Sequence, residues 1–217
     1  MDKQFAIFDM DGTLVDSMKY WRALGREFLE AKGVAGNLND VLERTKPLTM
    51  TESGALFIQE FGLPGTPESV AAEINAMMEA HYRNEVELKN GVEVYLEELK
   101  QKGVKMCVAS ATAEELLKVC LGRLGVLDYF EFLLSCETVG TGKNRPDVYF
   151  AAAERLGAKP EETAVYEDAW YAVRTAKTAG FHVIGIYDTN SDARWEDIRN
   201  LADEVVLDWN RGPEEGN

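Results

Sequence analysis

The chain has 217 residues, 38 acidic against 23 basic, and a net charge of −15. Its length suits one generous domain or a domain carrying a smaller insert, and its charge disfavours nucleic acid and anionic membrane surfaces as partners. A phosphate-bearing ligand would therefore need locally concentrated positive charge, from a metal or a few placed cations. The N-terminus lacks a basic-then-apolar leader pattern and no apolar run approaches the roughly 20 residues that span a bilayer; the expectation is a soluble cytoplasmic protein. Cys107, Cys120 and Cys136 lie in apolar segments without CxxC spacing and read as buried free thiols. His81 and His182 are far apart in the chain, which argues against a histidine zinc site or a Ser-His-Asp triad.

In chain order, Gln4-Phe5-Ala6-Ile7-Phe8 is a short apolar, β-prone run that fits a buried strand. It runs straight into Asp9-Met10-Asp11-Gly12-Thr13-Leu14-Val15-Asp16-Ser17. Two carboxylates at a strand's carboxyl end, followed by a glycine turn, sit where open α/β sheets bind ligands. From Ser17 to about Lys89 helical patterns succeed one another without a convincing strand. Their stripes run from Tyr20-Trp21 through Leu24 to Phe28-Leu29, over Leu56-Phe57 and Phe61, and over Ile74, Met77-Met78 and Tyr82. From Val104 strands and helices alternate. Val104 to Ala109 is a strand, and Thr112-Ala113-Glu114-Glu115 reads as a capping box. It opens a helix with Leu116, Leu117, Cys120, Leu121 and Leu124 on one face and Gly125 at its C′ position. Phe132 to Ser135 is the third strand; Pro146 then suits the first turn of a helix running to Leu156, with Gly157 beyond it. Thr163 to Tyr166 is the fourth strand, and a helix from about Ala169 to Ala179 follows and stops at Gly180. His182 to Tyr187 is the fifth strand and Glu204 to Leu207 a short sixth; the Gly-, Pro- and Glu-rich tail from Arg211 to Asn217 reads as frayed. This alternation implies right-handed crossovers and a mainly parallel sheet with helices on both faces.

The string from Asp9 to Ser17, DxDGTLVDS, resembles the signature of the haloacid dehalogenase-like (HAD) phosphatases. The resemblance implies a Rossmann-like α/β core of residues 1–16 and 89–217, with a small all-α cap domain, residues 17–88, inserted after the first motif. The family's second motif, a Ser or Thr ending the second strand, falls on Ser110. Its hydroxyl and the amide of Ala111 would donate to a phosphate oxygen. The third, a lysine ahead of a helix, falls on Lys143 in Gly142-Lys143-Asn144-Arg145-Pro146-Asp147, and would offset charge on the nucleophile and the transferring group. A nucleotide-loop reading of Gly140-Thr141-Gly142-Lys143 fails on spacing, since neither the P-loop pattern nor GxGxxG is completed. The fourth motif, an acidic pair ending the fourth strand, falls on Glu167-Asp168, although Asp168 reads locally as well for a helix N-cap. Strands one and four are neighbours in the implied sheet, so Asp9, Asp11 and Asp168 would converge. Clustered carboxylates repel unless a cation sits among them, and hard oxygen ligands suit Mg²⁺. Where the family commonly has a glycine in the next helix's first turn, this chain has Ala169-Trp170-Tyr171-Ala172; Trp170 and Tyr171 read as packing or rim residues.

The resemblance then implies roles. Asp9 would be the nucleophile, and Asp11 the acid and then the base. Mg²⁺ would be held by the Asp9 side chain, the Asp11 carbonyl and Asp168, with Glu167 on the metal or its waters. Thr13, Ser110, Ala111 and Lys143 would shape the phosphate pocket. Trp21 would face substrate from the cap, where Arg44, Lys46, Met50 and Arg83 are further specificity candidates that also read as ordinary helix-face residues. The implied activity is Mg²⁺-dependent hydrolysis of a small phosphomonoester through an aspartyl-phosphate. A β-phosphoglucomutase-like sugar-phosphate mutase shares the motifs and the cap, but there a histidine on the first cap helix couples closure to the acid; here that position holds Trp21. Carbon-halogen cleavage is disfavoured because dehalogenases lack the second acid, Asp11. A catalytically silent ligand-binding protein would need no paired nucleophile and acid.

Overall fold

Alternating side chains set the first strand: in β1 (Phe5–Phe8), Ala6 and Phe8 bury on one face and Ile7 on the other, as the two-residue pleat period requires. In the computed structural model, which describes residues 3–189 and 193–216, β1 belongs to a seven-stranded sheet. The others are β2 (Lys105–Ser110), β3 (Leu133–Ser135), β4 (Thr163–Glu167), β5 (His182–Ile186), β6 (Glu204–Val206) and β7 (Glu214–Glu215). Their order is β3-β2-β1-β4-β5-β6-β7, parallel throughout except for β7. The tail read as frayed is therefore a paired edge. An exposed β6 offers unpaired backbone groups, and Glu214–Glu215 answers them antiparallel, which composition does not report. Asn217 lies outside the described residues.

Five helices separate β1 from β2 in the chain, with no strand among them, and the first four are α1 (Met18–Ala31), α2 (Asn39–Thr45), α3 (Met50–Phe61) and α4 (Pro67–Asn84). Thr49 with Glu52 and Thr66 with Ser69 close capping boxes at the starts of α3 and α4. Then come α5 (Val92–Gln101), α6 (Glu114–Arg123), α7 (Cys136–Val139), α8 (Asp147–Leu156), α9 (Trp170–Thr178) and α10 (Trp195–Leu201). The capping box read at Thr112 does not form. Ala113 is the N-cap of α6, with no side-chain bond, and the Thr112 hydroxyl donates instead to Asp11 Oδ2 at 2.7 Å. A bond to a carboxylate outcompetes a neutral helix cap. Pro146 likewise stands one residue before α8, as its N-cap, and Gly157 ends that helix in the left-handed conformation at φ 76°.

The sheet is covered on both faces. Phe8, Val108, Tyr166 and Ile184 pack against α5, α6 and the helices between β1 and β2. Ile7, Cys107, Val165 and Val183 pack against α8, α9 and α10. Each fully buried aliphatic or aromatic side chain contributes about 1.5–3 kcal/mol, so this double layer fixes the strand ends that carry polar groups. The cysteines are free and buried; burial pushes the Cys120 and Cys136 thiols up to about 12. Among the described residues no helix is long and apolar enough to cross a membrane.

Candidate active site

Register brings the acids together. β1 and β4 pair with Phe8 opposite Tyr166, and Asp9 N donates to Tyr166 O at 3.0 Å. Asp9 and Glu167-Asp168 thus leave the sheet side by side. Their carboxylate oxygens lie within 4.8 Å of one another, at side chains of residues only 6%, 1% and 4% exposed. Gly12 makes the approach possible: it has φ 81°, and a Cβ there would strike the Asp168 carboxylate. Ala169 is the N-cap of α9, so the cap reading of Asp168 gives way to membership of the acid cluster.

Lys143 enters from the loop before α8, buried, with Nζ 2.5 Å from Asp9 Oδ1 and 2.6 Å from Glu167 Oε1. Tyr149 on α8 donates to that same Glu167 oxygen at 2.8 Å. Burial pushes the Asp9 and Glu167 carboxyls up while Lys143 pulls them back. Burial alone would lower the ammonium, but Asp9 and Glu167 hold it above its ordinary value. One lysine cannot neutralise three packed carboxylates, and the remaining charge together with an all-oxygen donor set fits a hard divalent cation.

Asp11 stands apart from this cluster. Its Oδ1 accepts from the Ser17 hydroxyl and from the Tyr82 phenol, each at 2.6 Å, and its Oδ2 accepts from Thr112 at 2.7 Å. Tyr82 is buried on α4, and Trp21 Nε1 on α1 donates to its oxygen at 3.1 Å. Burial first, then the Asp11 charge, push this phenol well above its ordinary value, so it stays a donor. The Asp11 side chain therefore does not join the grouped oxygens; the metal role read for Asp11 concerns its backbone carbonyl alone. Ser17, Thr112 and Tyr82 were missed as site residues. Ser17 and Thr112 adjoin recognised motifs, while Tyr82 lies 71 positions from Asp11 and carries no local signal.

Just past Gly12, the Thr13 hydroxyl is buried without a hydrogen-bond partner among the described residues, so it has a proton to donate to a ligand oxygen. Ser110 Oγ accepts from Thr112 N at 3.2 Å, which leaves its proton to donate; Ala111 lies between them at the end of β2, partly exposed. The cap cations read as specificity candidates are engaged locally: Arg44 with Glu60, Lys46 with Glu43 and Arg83 with Glu79. Met50 is half-buried at the start of α3. Lys46 contributes through its backbone, because its carbonyl accepts from the Tyr171 phenol at 2.6 Å. Nearby, Thr51 N donates to Glu137 Oε1 at 2.8 Å, and any side chain at Gly142 would strike the Pro47 carbonyl. The segment 46–51 is thereby docked on the core, with Tyr171 at the rim. Trp170 packs between the guanidinium groups of Arg174 and Arg194, 4.5 and 4.2 Å from its ring.

The chain is similar to known proteins in sequence and in fold. The family model of the haloacid dehalogenase-like hydrolases matches residues 4–180. The phosphorylated carbohydrates phosphatase of Thermotoga maritima is 26% identical over 213 residues, covering 92% of this chain and 98% of that protein. The β-phosphoglucomutase of Bacillus subtilis is 26% identical over 198 residues, 83% of this chain and 81% of that one. In fold, the chain resembles CbbY from Rhodobacter sphaeroides, solved in complex with phosphate, at TM-score 0.79 and 23% identity over 96% of this chain and 95% of that one.

Proposed function

The chain belongs to the haloacid dehalogenase-like hydrolases, and we propose that it hydrolyses a small phosphomonoester with Mg²⁺, through an aspartyl-phosphate on Asp9. The observation that carries the reading is the division of labour between two acids separated by a single residue. Asp9 lies with Lys143 among the grouped carboxylates, while Asp11 is turned into a nest of three hydroxyl donors. A nucleophile beside a cation and an acid held separately are what phosphoryl transfer needs.

In this reading Asp9 attacks phosphorus as the ester oxygen departs with a proton from Asp11. Asp11 then takes a proton from water as its oxygen attacks the phospho-aspartate, which releases inorganic phosphate and restores Asp9. Lys143 offsets the charge on Asp9 and on the phosphoryl group, and Thr13, Ser110 and the Ala111 amide receive phosphate oxygens. Asp9, Glu167 and Asp168, with the Asp11 carbonyl, would hold Mg²⁺, which when bound neutralises charge on the carboxylates and the phosphoryl oxygens. Residues 17–88 act as the cap over a core of 1–16 and 89–217 and keep bulk water from the site. The relatives' names point to phosphorylated sugars as the substrate class. A cytoplasmic setting, with no nucleic-acid or membrane partner, completes the reading.

The test is phosphate release from p-nitrophenyl phosphate and a panel of sugar phosphates, with excess chelator and with restored Mg²⁺. Activity should vanish with chelator and return with the metal; full turnover in chelator would sink the metal assignment, and inertness with Mg²⁺ the activity. The second reading, sugar-phosphate mutation, draws on the named mutase relatives. The Trp21 to Tyr82 contact favours hydrolysis over it, because neither ring can relay a proton near neutral pH.

A further inference from the structure

We propose that Tyr82 is a positioning residue for the general acid, turning the Asp11 carboxyl so that proton transfer runs through Oδ2; this rests on the phosphatase reading above. Each carboxylate oxygen offers two acceptor sites. Oδ1 has both filled, by Ser17 and Tyr82, whereas among the described residues Oδ2 receives Thr112 alone. The open site, where an acid proton can be carried, is therefore on Oδ2. Without the phenol, Oδ1 would hold an open site as well, and the carboxyl would have two competing ways to carry its proton.

The tyrosine is itself held at its phenol oxygen and at its backbone. Trp21 Nε1 donates to its oxygen at 3.1 Å, and Thr112 Oγ1 lies 3.4 Å from it. Arg123 of α6 clamps the backbone of the same turn, donating to the Tyr82 carbonyl at 2.7 Å and also to that of Val86. A ring serving only to fill space needs none of this; phenylalanine would pack as well. One donor at the phenol oxygen and one clamp on the Tyr82 backbone hold a hydroxyl whose single proton goes to the carboxylate, the arrangement that fixes a working group's geometry.

Aiming an acid matters only when the leaving group needs a proton. p-Nitrophenolate departs unaided, whereas phenolate, the conjugate base of an ordinary phenol with pKa of about 10, needs protonation. The experiment measures kcat/KM for phenyl phosphate and p-nitrophenyl phosphate with Mg²⁺ in wild type, Tyr82→Phe, Asp11→Asn and the double variant, with thermal midpoints as a control on folding. Tyr82→Phe should lower kcat/KM for the phenyl ester about tenfold, the scale of one hydrogen bond to a charged group, and that for the nitrophenyl ester by less than about threefold. In the Asp11→Asn background Tyr82→Phe should change neither. Equal losses on both esters, no loss, or a further loss without Asp11 would overturn the proposal. If Tyr82→Phe melts early, Trp21→Phe at a half-buried position carries the test, with a smaller selective loss expected and no selectivity overturning the inference. Wild-type protein inert toward both esters would overturn the phosphatase reading itself.

Discussion

The hydroxyl of Tyr149 lies 2.8 Å from Glu167 Oε1, the oxygen that Lys143 also holds at 2.6 Å. Two donors on one oxygen lock the carboxylate's rotation and leave Oε2 for a cation or its waters. Burial first, then the charge of Glu167, push the Tyr149 phenol well above its ordinary value, so it remains a donor across the working pH range. Tyr149→Phe should therefore keep the fold but weaken Mg²⁺ binding by about tenfold, the lower end of what outer-sphere partners contribute. Calorimetric Mg²⁺ titration of the purified protein reads this directly; unchanged affinity would mean that Lys143 alone orients Glu167.

The two N-terminal acids should separate by role. Asp9→Asn removes the nucleophile beside Lys143, so no hydroxylamine-labile phosphoenzyme should form with any ester. Asp11→Asn keeps the nucleophile and loses the acid and base, so turnover should fall by about 10²-fold or more. With p-nitrophenyl phosphate the phosphoenzyme should then accumulate. Rapid quench and mass spectrometry of the intact protein distinguish the two; an Asp11→Asn variant as active as its parent would remove Asp11 from the acid's role.

What was legible in the chain follows from where the information is stored. Phe5–Phe8, Thr163–Glu167 and the acids that follow them are local: short apolar runs and adjacent carboxylates, readable without knowing the partner strand. The resemblance makes strands one and four neighbours and implies that Asp9, Asp11 and Asp168 converge; Asp9 and Asp168 do, with Glu167 and Lys143, whereas the Asp11 carboxyl turns to Ser17, Tyr82 and Thr112 instead. Tyr82 was read only as one member of a helical stripe, because its partner Asp11 lies on a different element. Thr112 was misread because the same hydroxyl suits a cap or a carboxylate, and only the fold reveals the carboxylate. The tail's pairing failed for a similar reason: a strand can be made by what its neighbour lacks.

Away from the site, Asp203 provides a pH-dependent element of stability. Burial opposes its ionisation, yet bonds from Lys177 and the Val183 amide, with the charges of Lys177 and His182, hold the carboxyl below its ordinary value. A depressed carboxyl stabilises the fold above its unfolded pKa, about 3.9, and that contribution is lost as pH falls through the folded-state value. Asp203→Asn should thus cost at most about 1 kcal/mol near neutrality, because water screens this part-exposed carboxyl, with the gap closing as pH falls below about 3.9. Urea unfolding at stepped pH checks the sign; a gap that widens in acid would contradict it.

The choice between hydrolysis and phosphoryl shuttling turns on Trp21. A mutase must keep water from its phospho-aspartate until the sugar intermediate has turned over, and in the β-phosphoglucomutase branch a cap histidine links closure to the acid. Here the link is an indole N–H on a phenol, 3.1 Å apart, and the phenol on Asp11. Neither ring gains or loses a proton near neutral pH, so Asp11 remains under a fixed donor whether or not a bisphosphate is bound. Water should therefore reach the intermediate between turnovers. The expected outcome is release of inorganic phosphate from hexose 1- and 6-phosphates, with negligible interconversion of the two even when a hexose bisphosphate primer is supplied. Phosphorus NMR of the mixture follows both fluxes at once. Where hydrolysis dominates, Trp21→His in the same assay should raise the ratio of isomerisation to hydrolysis; isomerisation outrunning phosphate release in the parent would make the protein a mutase.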